Sequence, residues 1–204
     1  MKRSETRILT THVGSLPRAR ELSDLLIAGE AGKAVDSARL DGLAAAGVAD
    51  VVTRQIAAGV DIINDGEQPR VGFQTYVPQR LSGFGGASQR DPFKDFADHP
   101  DFAKIWIDRG MVMSKVFDAP TAQAEVQYKD LAPARRECDL FDAALAQHAG
   151  KYTDTFMTAA SPGIVCTTMR NAYYDSHEAY VRAVARELRK EYELIVSRGY
   201  VLQL

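Results

Sequence analysis

Val60-Asp61-Ile62-Ile63-Asn64-Asp65-Gly66-Glu67-Gln68-Pro69-Arg70 is the stretch on which the fold turns. Val60 to Ile63 reads as a buried strand, and the residues after it are abruptly polar. A strand of this kind delivers its last side chains to the C-terminal edge of a sheet, where parallel α/β proteins bind ligands. Two acids and a base around a glycine at that edge suit a site. The same residues also suit a polar strand-to-loop turn, and both readings stand on the segment alone.

The pattern on either side of this stretch alternates. Ile8 to Val13 has strand character, and Arg18 to Ala28 carries Leu22, Leu25 and Leu26 on one helical face behind Pro17. From Asp36 to Ala58, Leu40, Leu43, Ala44, Val48, Val51, Val52 and Ile56 recur at helical spacing, with Gly59 as a left-handed stop. Beyond the long segment at about 68–120, Ala124 to Tyr128 reads as a strand and Ala132 to His148 as a helix ending near Gly150. Asp154 to Ala160 is a strand running into Ser161-Pro162-Gly163. Ser176 to Arg198 is the clearest helix, with Val181, Val184, Leu188, Tyr192 and Ile195 in one stripe; Asp175 and Glu178 resemble a capping box, and Gly199 is the stop. Tyr200 to Leu204 opens a last apolar strand.

Strand-helix alternation predicts a parallel α/β sheet or barrel. About five strands are counted, whereas a closed (β/α)8 TIM-type barrel needs eight and typically ~250 residues. The expectation is an incomplete barrel, residues 1–204 forming the N-terminal portion of a single domain. A terminal strand without a following helix would leave open sheet edges, so self-association through them is a further expectation. The 68–120 segment, rich in Phe, Asp, Gly and Pro and holding Trp106, lacks a clear period. It is expected to form a rim or lid with some helix at Asp101 to Asp108; a docked surface insertion fits equally well.

Composition narrows the function classes. The 204 residues carry a formal charge of −2 and are 46% hydrophobic, which suits an ordinary globular protein with a sizeable core. That balance provides no electrostatic footprint for nucleic acid or an anionic membrane. No apolar run approaches the ~20 residues that cross a bilayer, and no signal peptide is evident at the N-terminus. Cys138 and Cys166 are too few for a disulfide framework and fit buried thiols in a reduced cytoplasm. There is no P-loop and no Gly-x-Gly-x-x-Gly after the first strand. Gly14-Ser15 and Ser161-Pro162-Gly163 each sit just past a strand end. Backbone N–H groups and a hydroxyl can hold a carboxylate there, or the residues can form an N-cap and turn.

Taken together the pieces resemble the cobalamin-independent methionine synthase family, in particular its short, single-barrel members that look like the catalytic C-terminal half of methionine synthase. The resemblance rests on Thr10-Thr11-His12-Val13-Gly14-Ser15-Leu16-Pro17-Arg18 and on Asp65-Gly66-Glu67 with Arg70. It continues through Phe73-x-x-Tyr76, Arg80-Leu81-Ser82-Gly83-Phe84, Ser161-Pro162-Gly163 and Tyr200-Val201-Leu202-Gln203-Leu204. It implies a TIM-type barrel that moves a methyl group from a methylated folate to a small thiol, typically homocysteine, in methionine biosynthesis. It also implies a zinc ion that binds the thiol and favours its nucleophilic thiolate. Superfamily members that transfer alkyl groups to another thiol, such as coenzyme M, or act in demethylation, share the motifs.

Carried onto this chain, the resemblance places the substrate's carboxylate at Gly14 and Ser15, with Val13 beside them, and its ammonium on Glu67. A charge-assisted bond of that sort contributes ~1.5–3 kcal/mol and selects α-amino acids over plain thiols. His12, Asp65, Arg70, Ser161 and Gly163 are rim candidates, with the Ser-Pro-Gly turn on the methyl-donor side. The family's zinc ligands, a His-x-Cys pair, a glutamate and a distant cysteine, lie in later strands and have no counterparts here. A substrate-binding aspartate that follows the strand ending at Leu204 is likewise beyond this sequence. His12, His99, His148 and His177 are too widely spaced to replace those ligands. His148 reads as a helix-terminal cation, His99 and His177 as exposed, and His12 as packed at the site mouth. The chain is therefore expected to hold a substrate-positioning half-site with no catalytic residue and no metal ligand. An inactive fragment serving as a binding or assembly module is the reading from a different class.

Overall fold

The computed structural model describes residues 2–72, 75–86, 98–108 and 119–204, with only the backbone of Trp106 and Ile107 described. Helices and strands alternate as α1 (Arg20–Glu30), α2 (Ser37–Ala57), β1 (Ile62–Ile63), α3 (Val77–Arg80), β2 (Leu81–Gly85), α4 (Pro100–Asp108), β3 (Thr121–Tyr128), α5 (Ala132–Ala146), β4 (Asp154–Thr158), α6 (Pro162–Thr168), α7 (His177–Ser197) and β5 (Val201–Gln203). The fold is mixed α/β. The chain divides into two compact units, Met1–Phe73 with Asp130–Ala159 and Lys190–Leu204, and Gln74–Lys129 with Ala160–Arg189.

The first unit contains a parallel sheet in the order β1-β4-β5. Ile62 and Ile63 pair with Asp154 and Thr155, and Phe156 to Thr158 pair with Val201 to Gln203. The apolar stripe of α2 and that of α5 cover this sheet: Val48, Val52, Cys138, Phe141, Ala144 and Leu145 are buried with Ile63, Met157 and Tyr200. Phe141 lies against Tyr200 at 5.1 Å between ring centroids, which anchors α5 to the residue before β5. Asp36 caps α2 by accepting from the Arg39 amide, and Gly59, at φ +76, follows its last turn. Leu22 and Leu26 of α1 pack on Ala44 in a smaller satellite core.

The predicted first strand at residues 8–13 joins no ladder. Asp61 is the reason. Its amide and that of Ile62 both donate to the Thr10 carbonyl, at 3.1 and 3.0 Å. Its carboxylate receives the Arg7 guanidinium and, at 2.8 and 3.0 Å, the Thr10 amide and hydroxyl. One carbonyl serving two amides breaks the strand register, and a side chain supplies the bonds a neighbouring strand would give.

The second unit contains an antiparallel β2-β3 pair, so the predicted strand at 124–128 does not belong to the parallel sheet. The five strands are thus three parallel and two antiparallel, and among the described residues no barrel is closed. The β2-β3 register shifts between Ser82 and Phe84, where Gly83 has φ +89 and a Cβ would stand 2.6 Å from the Glu125 carbonyl oxygen. That approach requires glycine. Glu187 of α7 accepts from the Tyr128 amide at 2.9 Å, and Tyr180 donates its hydroxyl to the Met169 carbonyl at 3.0 Å. The α7 cap is Ser176, not the expected Asp175: the helix begins at His177, and the Ser176 hydroxyl oxygen accepts from the Ala179 amide at 3.1 Å. Helix α4 covers the expected 101–108, while 87–97 and 109–118 of the expected rim lie outside the described residues.

Arg7 and the Thr10 amide hold the Asp61 carboxyl far below its usual range, the Arg7 hydrogen bond contributing most. A carboxyl depressed in the folded state stabilises it fully above the unfolded value near ~4 and loses that stabilisation as pH falls further. Stability to urea is expected to fall as pH is lowered below about 4, and Asp61→Asn to weaken that dependence.

Candidate substrate-binding site

The site begins where β1 stops. A buried carboxamide on α2, Gln55, takes over from the sheet: its Oε1 accepts from the Asn64 amide at 3.0 Å and its Nε2 donates to the Asn64 carbonyl at 2.8 Å. Gln55 Oε1 also lies 2.9 Å from His12 Nε2. An amide oxygen can only accept, so Nε2 of His12 carries the proton. His12 is thereby packed at the edge of the site, its ring edge-on to Phe156 at 5.9 Å.

Two successive side-chain turns then fold the chain back. Asn64 Oδ1 accepts from the Gly66 amide at 2.9 Å, and Asp65 Oδ1 accepts from the Glu67 amide at 3.0 Å. Gly66 and Glu67 are both left-handed, at φ +64 and +53. Glycine is demanded at 66, because a Cβ would come within 3.0 Å of Val51 and 3.2 Å of Leu16. Glu67 is the single non-glycine residue of positive φ among those described. A non-glycine residue in that region costs ~1–2 kcal/mol, and such strain clusters at functional positions.

This double turn buries its polar side chains completely. Asn64 and Asp65 are 0% exposed and Glu67 is 3% exposed. Thr158, the last residue of β4, donates its hydroxyl to Glu67 Oε1 at 3.0 Å. Arg70 Nη1 donates to the Thr158 carbonyl at 2.8 Å and to its hydroxyl oxygen at 3.1 Å, while Nε donates to Glu137 Oε2 on α5 at 3.1 Å. Arg18 donates from Nη2 to the Glu67 carbonyl at 2.6 Å and from Nε to the Gln68 carbonyl at 3.2 Å. Burial lowers the basicity of Arg18, and the nearby charges of Glu67 and Asp65 oppose that. Among the described residues, Asn64 Nδ2 and Asp65 Oδ2 have no hydrogen-bond partner. A buried donor and a buried acceptor side by side in sequence are polar groups that call for a partner.

The first loop is clasped to the second. The Leu16 amide donates to the Gly66 carbonyl at 3.1 Å, and Gln68 Nε2 donates to the Leu16 carbonyl at 3.0 Å. Gly14, at φ +87, and the exposed Ser15 therefore sit beside the Asp65-Gly66-Glu67 turn, with Val13 80% exposed. An open cavity of about 270 Å³ lies between this loop and α2, lined by His12, Leu16, Pro17, Val51 and Gln55 among others. His12, Gly14, Ser15, Asp65, Glu67 and Arg70 thus occur in one unit. Ser161 and Gly163 belong to the other, where Ser161 caps α6 by accepting from the Ile164 amide at 3.1 Å and Gly163 is helical. Cys138 and Cys166 are buried, each thiol pushed up to about 11 chiefly by desolvation, as suits packed rather than reactive cysteines. The His148 ring pairs with the Thr53 hydroxyl of α2 at 3.1 Å, and His99 and His177 are exposed.

Sequence reasoning passed over Gln55, Glu137 and Thr158, and assigned Arg18 no role. The signals were present. Gln55 continues the Val48-Val51-Val52 stripe and Glu137 sits within Ala134-Cys138-Phe141, each a polar residue at an inward helical position. No group of three or more His, Cys, Asp or Glu side chains among the described residues could hold a metal ion. Zinc therefore has no fitting ligand set among the described residues.

Residues 8–95 match the family described as cobalamin-independent synthase, catalytic domain. Over this segment the chain is similar to the cobalamin-independent methionine synthase family, as its motifs imply. Among solved structures it is similar to a B12-independent methionine synthase from Shewanella sp. W3-18-1 in complex with selenomethionine, with 18% identity and TM-score 0.67 over 95% of this chain and 50% of that one. It is also similar to a putative vitamin-B12 independent methionine synthase from Listeria monocytogenes, with 16% identity and TM-score 0.64 over 98% of this chain and 52% of that one. The chain spans about half the length of these structures, and the likeness is one of fold. No curated protein matches it significantly.

The strain at position 67 is measurable. Glu67→Ala and Glu67→Gly both delete the carboxylate, but only glycine accepts φ +53 freely. Urea denaturation is expected to find the glycine variant about 1 kcal/mol more stable than the alanine one.

Proposed function

We propose that this chain forms the amino-acid-binding part of an S-methyltransferase site, in an incomplete (β/α)8 TIM-type barrel of the methionine synthase kind. The substrate is a small thiol amino acid such as homocysteine, and the methyl donor is a methylated folate. Glu67 receives the ammonium group; the Gly14 and Ser15 loop, flanked by Val13, receives the carboxylate. Asp65 supports the turn, and His12 closes its edge through Gln55. Zinc, which in the family activates the thiol, would need ligands other than the described ones. The proposed location is cytoplasmic; no helix among the described residues is long and apolar enough to cross a membrane.

One observation carries this reading: a strained, buried carboxylate at the end of β1, in a turn that Leu16 clasps to the Gly14 and Ser15 loop. Neither turn formation nor core packing requires a glutamate at φ +53. The pair of acids at 65 and 67 also weighs against a thiol such as coenzyme M, whose anionic end has no ammonium to offer them.

Isothermal titration with homocysteine and with 4-mercaptobutyrate, which is homocysteine without its amino group, tests the role of Glu67. A preference for homocysteine of about ten-fold or more is expected, as a charge-assisted bond provides. Glu67→Gln is expected to collapse that preference; a variant that keeps it overturns the reading.

A second reading, assembly, is favoured by the exposure of Ile8 at 83% and Val13 at 80% and by the pairing of β5 with β4 alone among the described strands. Gel filtration over a hundred-fold concentration range is then expected to show concentration-dependent dimerisation, and a monomer throughout excludes it.

A further inference from the structure

We infer that Thr158 is a positioning residue that sets the amino-acid selectivity of this site by aiming the Glu67 carboxylate; the inference rests on Glu67 being the ammonium anchor. A threonine hydroxyl has one proton to donate and lone pairs to accept with. Arg70 Nη1 donates to Thr158 Oγ1 at 3.1 Å, and an arginine cannot accept in return. The Thr158 proton is thus directed elsewhere, and Glu67 Oε1 stands 3.0 Å away. Arg70 is itself oriented by Glu137 Oε2 at 3.1 Å and by the Thr158 carbonyl at 2.8 Å.

The chain Glu137, Arg70, Thr158, Glu67 therefore diverges from Arg70, which donates to Glu137 on one side and, through the Thr158 hydroxyl, polarises a bond to Glu67 on the other. It is charged at each end and buried throughout, where such bonds are stronger than in water. Among the described residues, Thr158 makes the one hydrogen bond to the Glu67 carboxylate. That bond fixes one oxygen and leaves the other for a cation. Without it, a side chain on a strained backbone would be held by packing alone. Thr158 does not touch the ligand in this arrangement; it acts through Glu67, with Arg70 and Glu137 setting its polarity.

The test compares Thr158→Val, which keeps the shape and removes the hydroxyl, with Thr158→Ser, which keeps the hydroxyl. Both are titrated with homocysteine and 4-mercaptobutyrate beside the wild type and Glu67→Gln. Thr158→Val is expected to reduce the preference for homocysteine by about ten-fold, the loss of one charge-assisted bond, with little change for 4-mercaptobutyrate. Thr158→Ser is expected to restore the wild-type preference. Equal weakening for both ligands would mark a merely structural role and overturn the inference. If Glu67→Gln loses the preference while Thr158→Val keeps it, the inference fails and the ammonium-anchor reading stands. If Glu67→Gln keeps it, or the wild type binds neither thiol, the reading and the inference both fail. Should Thr158→Val not fold, Thr158→Cys, a much weaker donor of similar size, replaces it with the same expected loss.

Discussion

A guanidinium enclosed by protein has to be answered on every side, and Arg70 imposes that condition on this fold. It leaves the β1 loop and is met by Glu137 of α5 and by the carbonyl and hydroxyl of Thr158 at the end of β4. Removing one partner from such a buried pair costs ~3–5 kcal/mol, because the other charge remains dehydrated. The pair is accordingly weak evidence of net stability and strong evidence of register. It specifies which strand end lies beside which loop, and it holds α5 at one rotation against the sheet.

A second constraint works at the other edge of the same turn. β1 is only two residues long, so its last backbone groups would be orphaned in the interior. Gln55 satisfies the Asn64 amide and carbonyl with one carboxamide, and its oxygen also accepts from His12. The strand can then end early and let Asn64 and Asp65 turn the chain into the left-handed pair at Gly66 and Glu67. Local strain at Glu67 is sustained by bonds on both sides: Arg18 on its carbonyl and Thr158 on its carboxylate. Rigid support around a strained acid is what a selective binding group requires.

Much of this was legible in the sequence. The α2 stripe and Gly59 predicted that helix to within a residue at each end, since both rest on short-range rules of spacing and backbone freedom. The Asp-Gly-Glu segment stood out because two acids and a base crowd around a glycine at the end of a buried strand. The N-terminal strand failed because propensity cannot foresee a carboxylate, Asp61, competing for Thr10. The strand was recognised at 124–128, short of its observed start at Thr121, and its antiparallel partner was not, because pairing partners lie about forty residues apart and depend on the Gly83 bulge.

The sequence by itself determined the likeness to the family, the longer helices α1, α2, α5 and α7, and the presence of an acidic turn at a strand end, all properties of contiguous residues. The tertiary structure alone decided how that turn is armed. Thr158 and Glu137 are 91 and 70 residues from Glu67, and nothing in their local patterns announces a common hydrogen-bonded chain. Only packing of β4 and α5 against the β1 loop brings them together, and burial then makes each bond obligatory.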